Sequence, residues 1–290
     1  MNTHFDFSPA SLATLALADV DRALSEDIGG GDLTAGLIDP QRRSHARVLA
    51  REAAVICGQP WVEATLQRLD PQAEVVWHVR DGQSCKADQV VLEIKGQSRA
   101  LLSAERTMLN FMQLLSAVAT QTATYVQLAR GVPGNRAKIV DTRKTLPGLR
   151  LAQKYAVRCG GGSNHRIGLY DAVLIKENHI AAAGGVTAVL QRAAEVAARA
   201  TFVEIEVETL AQLEEALAAG AQMILLDNMD LAQLREAVRI TAGRAILEVS
   251  GGVGLDTVAG IAATGVDRIS IGALTKDIKA IDFSMRFTQL

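Results

Sequence analysis

The chain has 290 residues, of which 49% are hydrophobic and 21% are charged, and this composition is typical of a globular protein with a substantial core. Its formal net charge of -2 argues against a partner, such as nucleic acid, that is held by bulk electrostatic attraction. No apolar run reaches the roughly 20 residues that a membrane-spanning helix needs. The length allows one large domain or two modest ones.

The cysteines and the first residues bear on the cellular compartment. Cys57, Cys85 and Cys159 are odd in number, far apart and without a CxxC pair, so we expect reduced thiols rather than disulfides or a zinc site. The N-terminus shows no basic segment followed by an apolar core, so no secretion signal is expected. These features predict a cytoplasmic location.

The first hundred residues change from a helical pattern to an alternating one. Residues 9–26 carry leucine and valine at near-helical spacing, and Ser8 or Ser11 can cap the predicted helix. Alternating apolar residues from about 44 to 100 predict short strands, with a short helix over 60–69. The segment 81–96 has the look of a lipoyl-carrier hairpin, but its lysines lack an exposed hairpin tip, and we interpret it as a structural strand.

The remaining elements indicate a parallel sheet. Residues 103–130 predict a long helix capped by Ser103, with Arg106 close to its N-terminus. Strands are predicted at 138–141, 172–176, 202–207, 223–226, 245–249 and 268–271, with helices between the later pairs. Strand–helix units of this kind give parallel strands with right-handed crossovers. The units are too few for an eight-fold barrel, so we predict an incomplete or variant α/β barrel, with a doubly wound sheet as the alternative.

Positive charge is concentrated locally in a chain that is close to neutral overall. Between residues 141 and 179 the cations include Arg143, Lys144, Lys154, Arg158, His165, Arg166, Lys176 and His179. Pro147, Gly148 and the glycines at 160–162 suit loops that bend closely around a ligand. Because cations at strand ends beside glycine loops typically face an anion, we predict an anion-binding pocket. A solvated basic surface is the alternative.

Functional residues in parallel barrels stand at the C-terminal ends of the strands. Here those ends lie at residues 141–144, 176–178, 206, 227–228, 250–252 and 272–273. The last two, in LEVSGGV and ISIGALT, resemble glycine loops that hold a phosphate by backbone N–H groups and a helix N-terminus. Tight turns without a ligand are the alternative.

Carboxylates accompany these cations. Glu204, Glu206 and Glu208 alternate along one predicted strand, so we expect them on one face, where unpaired charges in a barrel interior are costly. Magnesium, a ribose diol or neighbouring lysines would offset them. Two phosphate loops, a metal-capable pair of Glu206 and Asp227 and a cationic cluster together predict a phosphorylated sugar substrate and a second, acidic substrate.

The stretch DTRKTLPGLRLAQKYAVRCGGGSNHRIGLYDAVLIKENH, followed by EVE, LLDN, SGG and IGALT, resembles the quinolinate phosphoribosyltransferase family. The resemblance extends to EDIGGGDLT and SAERTMLNFMQLLSAVAT, and therefore covers almost the whole chain. It implies an N-terminal α/β sandwich domain plus an incomplete, TIM-like α/β barrel. The expected limits are 1–115 for the sandwich, completed by about 275–290, and 116–274 for the barrel that carries the active site.

The resemblance also implies an activity and its partners. A pentosyltransferase of this family transfers phosphoribosyl from phosphoribosyl pyrophosphate to quinolinate with decarboxylation, giving nicotinate mononucleotide, pyrophosphate and CO2 in de novo NAD biosynthesis. Mg2+ is the expected cofactor. The expected assembly is a homodimer, or an assembly of dimers, with shared active sites. Neither nucleic acid nor a membrane is an expected partner.

Roles for individual residues follow from the same resemblance. The expected quinolinate carboxylate contacts are Arg143, His165, Arg166 and, from the neighbouring subunit, Arg106. Lys144 and Lys176 are expected near the pyrophosphate and the reacting ring, and Glu206 and Asp227 at the ribose hydroxyls and magnesium. The residues expected to hold the 5-phosphate are Ser250, Gly251, Gly252, Ile271, Gly272 and Ala273. Thr142 is a further predicted substrate contact.

Three alternatives stay open at this point. Lys176 at a strand end would suit an aldolase-type Schiff base, although this leaves the carboxylate pair without a role. A pyrophosphorylase-like relative linked to molybdenum transport would share the fold. A phosphate-sensing protein would bind phosphoribosyl pyrophosphate without turnover.

Overall fold

The computed structural model describes residues 5–289, and the expectation about a secretion signal rests partly on residues 1–4, which lie outside them. The helices are α1 (Pro9–Asp27), α2 (Gln59–Leu69), α3 (Ser98–Arg130), α4 (Arg150–Cys159), α5 (Glu177–Ala183), α6 (Val186–Ala197), α7 (Leu210–Ala218), α8 (Leu231–Thr241), α9 (Val258–Ala262) and α10 (Ala273–Lys276). The strands are β1 (Arg43–Ala50), β2 (Ala54–Val55), β3 (Glu74–Trp77), β4 (Ser84–Cys85), β5 (Val90–Gln97), β6 (Lys138–Val140), β7 (Val173–Ile175), β8 (Val203–Val207), β9 (Met223–Asp227), β10 (Ile246–Ser250), β11 (Arg268–Ser270) and β12 (Phe283–Gln289). Among residues 5–289, no helix combines the length and the apolar character needed to cross a membrane.

Two compact units divide the chain. The sandwich unit consists of Asp6–Ala123, Leu146–Gly161 and the stretch that begins at Asp277. The barrel unit contains Thr124–Thr145 and Gly162–Lys276. The domain limits proposed from the sequence stay predictions.

An antiparallel sheet in the order β12-β1-β5-β3 forms one layer of the sandwich unit. Along β1, the side chains of Ala46, Val48 and Ala50 are buried while those between them are partly or fully exposed. This alternation follows from the pleat of the strand and gives the sheet one apolar face. That face packs with apolar residues of α2 and α3 in a single core, which includes Leu66 and Met108.

Trp61 on α2 connects the helices of the sandwich unit. Its indole is fully buried, and its N–H donates to Oδ2 of Asp19 on α1 at 2.9 Å. The ring lies 6.1 Å from that of Phe111 and 5.8 Å from that of Tyr155. Burial raises the pKa of Asp19, and the indole N–H and Arg22 act in the opposite direction. The buried carboxylate therefore depends on these two donors.

The barrel unit is built on parallel strands in the order β6-β11-β10-β9-β8-β7. Strands β7 to β11 thus lie side by side in chain order, and β6 lies next to β11. The strand order does not reverse between β7 and β11, as it would in a doubly wound sheet. Among the described strands, β6 and β7 are the two edges and do not pair with each other. The prediction of an α/β fold with an incomplete, variant α/β barrel is confirmed.

Two predictions about helices need correction. Helix α3 begins at Ser98, not at Ser103, because Leu101 is buried in the core and Ser98 is fixed by a 2.7 Å hydrogen bond between its hydroxyl and that of Ser44. Arg106 therefore lies in the third turn of α3 and not near its start. Between the loops predicted at 147–148 and 160–162 lies a helix that was not predicted, α4, whose Ala152 and Ala156 are buried one turn apart.

This second correction removes cations from the predicted cluster. Lys154 is fully buried on α4, in the sandwich unit. The guanidinium of Arg158 lies 5.0 Å from the ring centroid of Phe7, a cation–π contact. His179 helps to cap the N-terminus of α5, because its Nδ1 accepts the backbone N–H of Lys176 at 2.9 Å. These three cations have structural partners.

We expect Trp61→Phe to lower the free energy of unfolding by about 1–3 kcal/mol, because the buried carboxylate of Asp19 loses its N–H donor. Chemical denaturation followed by circular dichroism measures this loss. Trp77→Phe is the matched control, since its indole donates to Glu63 at 3.2 Å in an exposed position. Equal losses in the two variants would mean that the contact with Asp19 adds nothing to stability.

Candidate active site

A cavity of about 410 Å³ lies in the barrel unit. Its walls come from the ends of β6 to β11 and the segments that follow them, which meet at one edge because the strands are parallel. The lining residues are Thr142, Lys144, Lys176, Glu206, Asp227, Asn228, Ser250, Gly251, Gly252, Val253, Ser270, Ile271, Gly272, Ala273 and Lys276. Eleven of the sequence-predicted site residues therefore share one cavity: Thr142, Lys144, Lys176, Glu206, Asp227, Ser250, Gly251, Gly252, Ile271, Gly272 and Ala273.

Two carboxylates and three lysines (Lys144, Lys176 and Lys276) give this cavity its charge. Nζ of Lys176 lies 2.5 Å from Oε2 of Glu206, so the end of β7 is paired with the end of β8. Burial and then the neighbouring charge of Glu206 raise the pKa of Asp227, while Lys176 and Lys144 lower it. The two carboxylates are thus close enough to repel each other, and both lysines partly offset that repulsion.

The loop after β10 requires a glycine where it approaches the loop after β9. Gly251 has φ +96°, and a Cβ there would lie 3.1 Å from the backbone nitrogen of Asn228. Asn228 itself has φ 54°, its N–H donates to Ser250 O at 3.2 Å, and its Nδ2 donates to Asp227 Oδ2 at 2.9 Å. The side chain of Asn228 therefore orients the Asp227 carboxylate, and the backbone of Asn228 is hydrogen-bonded to the start of the glycine loop.

The loop after β11 requires a glycine for a different reason. A Cβ on Gly272 would lie 3.0 Å from Cδ of Lys144, so the lysine side chain runs directly over this residue. The backbone of Lys144 is fixed on both sides: its N–H donates to Thr142 Oγ1 at 3.1 Å, and its carbonyl accepts from Thr275 Oγ1 at 2.8 Å. Since α10 is only four residues long, individual backbone N–H groups matter more here than a helix dipole.

Arg143 and Arg166 form a second cationic group. Arg166 is buried, and burial followed by the charge of Arg143 lowers its pKa. The buried Nε of Arg143 has no hydrogen-bond partner among the described residues. Two neighbouring guanidiniums, one with an unused donor, are the arrangement that an anionic ligand with planar carboxylates would satisfy.

Two buried acids hold the loop that carries Arg166. Asp141, at the end of β6, accepts the backbone N–H of His165 at 2.8 Å and the side-chain amide of Asn164 at 2.7 Å. Asp171 accepts the N–H groups of Ile167 at 2.7 Å and of the following glycine at 2.8 Å. Both carboxylates are completely buried, so the loop is fixed on either side of the guanidinium.

His165 faces the interior of the barrel unit. Its Nε2 lies 2.8 Å from Oε2 of Glu204 on β8, and its Nδ1 accepts the backbone N–H of Arg166 at 2.8 Å. Both ring nitrogens thus have protein partners. Direct donation to a substrate carboxylate would need a shift of the ring, and the predicted contact stays a prediction.

Glu204, Glu248 and Arg268 complete this interior cluster. Both glutamates are fully buried, and burial raises the pKa of each to about 7. Nε of Arg268 lies 2.7 Å from Oε2 of Glu248, and Oε1 of Glu248 lies 3.5 Å from His165 Nε2. A histidine and an arginine therefore stabilise two carboxylates that water does not reach.

The sequence anticipated part of this arrangement. Lys176 offsets Glu206, as one of the predicted solutions for the interior carboxylates, whereas Glu204 uses His165. Glu208 lies beyond the end of β8 and is exposed, so its predicted place on the interior face is wrong. Lys276 and the orienting role of Asn228 were missed, although Lys276 directly follows ISIGALT and Asn228 stands in the recognised strand end at 227–228.

Arg106 lies elsewhere in the chain. It is exposed on α3 in the sandwich unit. Its predicted contribution to a neighbouring subunit's site stays a prediction.

The fold and the cavity define an α/β-barrel protein with a polar cavity at the ends of its parallel strands. The model for "Quinolinate phosphoribosyl transferase, C-terminal domain" matches residues 118–286, and the model for the N-terminal domain of the same family matches residues 32–116. The chain belongs to the quinolinate phosphoribosyltransferase family.

Curated relatives and solved structures agree with this assignment. The chain is 41% identical to a probable nicotinate-nucleotide pyrophosphorylase (carboxylating) of Bacillus subtilis, over 91% of this chain and 90% of the relative. It is 43% identical to that enzyme of Mycobacterium leprae, over 92% and 95%. The structure of the nicotinate-nucleotide pyrophosphorylase from Francisella tularensis superposes with a TM-score of 0.91 at 44% identity, covering 95% of this chain and 97% of that one.

We expect Gly272→Ala to weaken the binding of inorganic pyrophosphate without lowering the melting temperature. The added methyl group meets the flexible side chain of Lys144 and not the backbone, so the lysine moves while the fold remains. Isothermal titration calorimetry measures the affinity. Gly36→Ala is the control, since a Cβ there meets nothing within 4 Å. Unchanged affinity in Gly272→Ala would exclude Lys144 from pyrophosphate binding.

The buried Glu248 should make stability depend on pH. Burial raises its pKa from the ordinary 4.5 to about 7, so the folded chain holds this proton more tightly than the unfolded chain. The free energy of unfolding then falls as the pH rises through this window, by up to about 1.4 kcal/mol per pH unit for one group, and levels off above it.

Glu248→Gln is expected to flatten this fall, which urea unfolding at several pH values measures. Glu236→Gln is the control. Its carboxylate is exposed, and the hydrogen bond from Arg239 lowers its pKa, so it titrates below the window. If the slope of Glu248→Gln equals that of the wild type, another group carries the pH dependence.

Proposed function

We propose that this protein transfers the phosphoribosyl group of phosphoribosyl pyrophosphate to quinolinate, with loss of CO2, and releases nicotinate mononucleotide and pyrophosphate for de novo NAD biosynthesis. The observation that carries the proposal is that the barrel unit contains two chemically different cationic groups, one of lysines and one of arginines. Lysines and glycine loops line a polar cavity, and two guanidiniums lie close together with the buried Nε of Arg143 unused. The first suits phosphates and the second suits a dicarboxylate.

Quinolinate is the substrate that the guanidinium pair would select. A pyridine dicarboxylate is a dianion, and one guanidinium can bind a planar carboxylate through two parallel hydrogen bonds. Binding would also relieve the repulsion between Arg143 and Arg166. Nicotinate carries a single carboxylate and would leave one of these cations unpaired.

The carboxylates and lysines of the cavity supply the transfer chemistry. Departure of pyrophosphate leaves positive charge on the ribose, which Glu206 and Asp227 would stabilise. Lys144 and Lys176 would neutralise the leaving group. Ser250, Gly251 and Gly252, together with Ile271, Gly272 and Ala273, would hold the 5-phosphate through backbone N–H groups.

The same carboxylate pair fits Mg2+. Burial and the nearby Glu206 raise the pKa of Asp227, and an oxygen-binding divalent cation relieves that kind of repulsion. When bound, magnesium supplies further charge neutralisation for pyrophosphate. Glu206 and Asp227 are the residues that would hold it.

Lys176 bears on the aldolase-type alternative. A Schiff-base nucleophile must present a free amine to the carbonyl, whereas Nζ of Lys176 forms an ion pair with Glu206 at 2.5 Å. The relatives at about 40% identity carry the pyrophosphorylase name, which favours the quinolinate enzyme over the molybdenum-linked protein.

The decisive test is an assay for nicotinate mononucleotide with quinolinate, phosphoribosyl pyrophosphate and Mg2+, and with nicotinate as the control substrate. We expect product from quinolinate alone. Omission of Mg2+ should lower the rate. If folded protein binds phosphoribosyl pyrophosphate but forms no product, the proposed transfer is wrong and a sensor function replaces it. Product from nicotinate would contradict the role of the second carboxylate.

Arg143→Ala should weaken quinolinate binding by at least about tenfold, because a charge-assisted bidentate contact is lost, while the affinity for phosphoribosyl pyrophosphate stays within twofold. Calorimetry with each ligand separates the two effects. Arg235→Ala, an exposed arginine on α8, is the control. Equal loss of both affinities would mean that the guanidinium pair does not define the quinolinate subsite.

The protein is proposed to act in the cytoplasm as a homodimer, or an assembly of dimers, in which Arg106 completes the site of the neighbouring subunit. Mixing inactive Arg106→Ala and Lys176→Ala chains should then restore activity, since one site of each mixed dimer regains both side chains. Mixing Lys176→Ala with Arg143→Ala should restore none, because both residues would act within one subunit. Equal activity in the two mixtures would contradict an active site that is shared between subunits.

A further inference from the structure

Three donor side chains meet in the sandwich unit, away from any role in the proposed reaction. The thiols of Cys57 and Cys159 and a carboxylate oxygen of Asp81 all lie within 4.8 Å of one another. None of the three lines the cavity of the barrel unit. More than 100 residues separate Cys57 from Cys159 in the sequence, and this is why the absence of a CxxC pair pointed away from a metal site.

Each donor is held at the end of a regular element. Cys57 comes just before α2, where Gly58 has φ +127° and a Cβ would lie 3.3 Å from Cα of Met112. Cys159 is the last residue of α4. A Cβ on Gly82 would lie 3.4 Å from the carbonyl oxygen of Cys159, so the turn that carries Asp81 packs directly against the end of α4. The fold therefore fixes all three donors.

Asp81 is oriented by neutral donors. The N–H of Gln59 lies 3.1 Å and 3.2 Å from its two carboxylate oxygens, and the hydroxyl of Tyr155 donates to Oδ2 at 2.9 Å. Among residues 5–289, no lysine, arginine or histidine forms an ion pair with this carboxylate. Oδ1 keeps a lone pair that these hydrogen bonds do not use.

Burial makes negative charge costly at this cluster. It raises the pKa of Asp81 to about 6 and that of the Cys57 thiol well above its usual range. A bound cation offsets such a cost by replacing the thiol protons and pairing with the carboxylate. Two sulfurs and one oxygen favour zinc-like, thiophilic metals over magnesium or calcium, which prefer oxygen alone.

The cluster is also accessible. A cavity of about 270 Å³ between α1 and α2 has Asp81 and Tyr155 in its wall, and Cys159 is partly exposed. Tetrahedral zinc sites with three protein ligands keep a fourth position for water. Asp81 and Cys159 are therefore both partly exposed to solvent, whereas Cys57 is buried.

We propose that Cys57, Cys159 and Asp81 form a binding site for a thiophilic divalent cation. The cation joins the start of α2, the turn at residues 80–83 and the end of α4. It stabilises the sandwich unit and takes no part in phosphoribosyl transfer. Binding by two thiolates releases their protons, so the affinity falls as the pH is lowered.

Reduced, chelator-stripped protein should be titrated with Co2+ and Zn2+ in the presence of excess Mg2+, which occupies sites made of carboxylates alone. We expect Co2+ to produce thiolate-to-metal charge-transfer absorption, which a carboxylate or histidine site such as His165, Glu204 and Glu248 cannot produce. Zn2+ should abolish this absorption and raise the melting temperature. Nicotinate mononucleotide formation should be unchanged in metal-stripped protein supplied with Mg2+.

Cys57→Ser and Cys159→Ser should each lower the Zn2+ affinity by at least about tenfold and remove the absorption. Cys85→Ser, a buried cysteine outside the cluster, should retain both. Asp81→Asn keeps a hydrogen-bonding side chain and should weaken binding in folded protein even if a serine variant fails to fold.

Two results would overturn the proposal. The first is absence of thiolate absorption in the wild type, or its persistence in both Cys57→Ser and Cys159→Ser. The second is a thiol count that is two short in metal-free protein and is restored only by a reductant. That result would assign the pair to a disulfide.

Discussion

The Lys176–Glu206 ion pair joins the ends of two neighbouring strands, and the charges of the cavity are arranged around it. Removing water from a carboxylate is costly unless a cation compensates, and β8 and β9 bring two carboxylates to one edge of the sheet. Lys176 pairs with one of them, and Asn228 orients the other. The ion pair holds Lys176 at the cavity edge, so the same contact serves local stability and the placement of a cation that can face an anionic ligand.

Below this layer, the barrel unit contains a second set of charges that no ligand needs to touch. Glu204 and Glu206 point the same way along β8, since side chains two apart share a strand face. Glu206 faces the cavity, and Glu204 contacts His165. The loop of Arg166 is therefore tied to the interior of the barrel unit as well as to Asp141 and Asp171, so the protein itself positions the backbone that carries this guanidinium.

The strand ends, the glycine loops and the cavity residues could be predicted because they follow local rules. Parallel strands place their C-terminal ends at one edge, and a glycine next to a strand end marks a close backbone approach. The sequence could not predict which individual cations reach the site and which have structural partners. Lys154, Arg158 and His179 stand in the same stretch as Arg143 and Lys176, yet α4 and α5 use them for their own packing and capping. Likewise, the meeting of Cys57 with Cys159 depends on long-range packing that no spacing reveals.

The position of β12 constrains how the chain can be made. This strand pairs with β1 over residues that are separated by almost the full length of the chain, and it follows the entire barrel unit. During synthesis, β1 must wait with an open edge until β12 leaves the ribosome, whereas every strand of the barrel unit has already been made. Open strand edges invite pairing with other chains, and contacts so distant in sequence form slowly. In a growing chain, the first sheet to be synthesised is therefore the last to be completed.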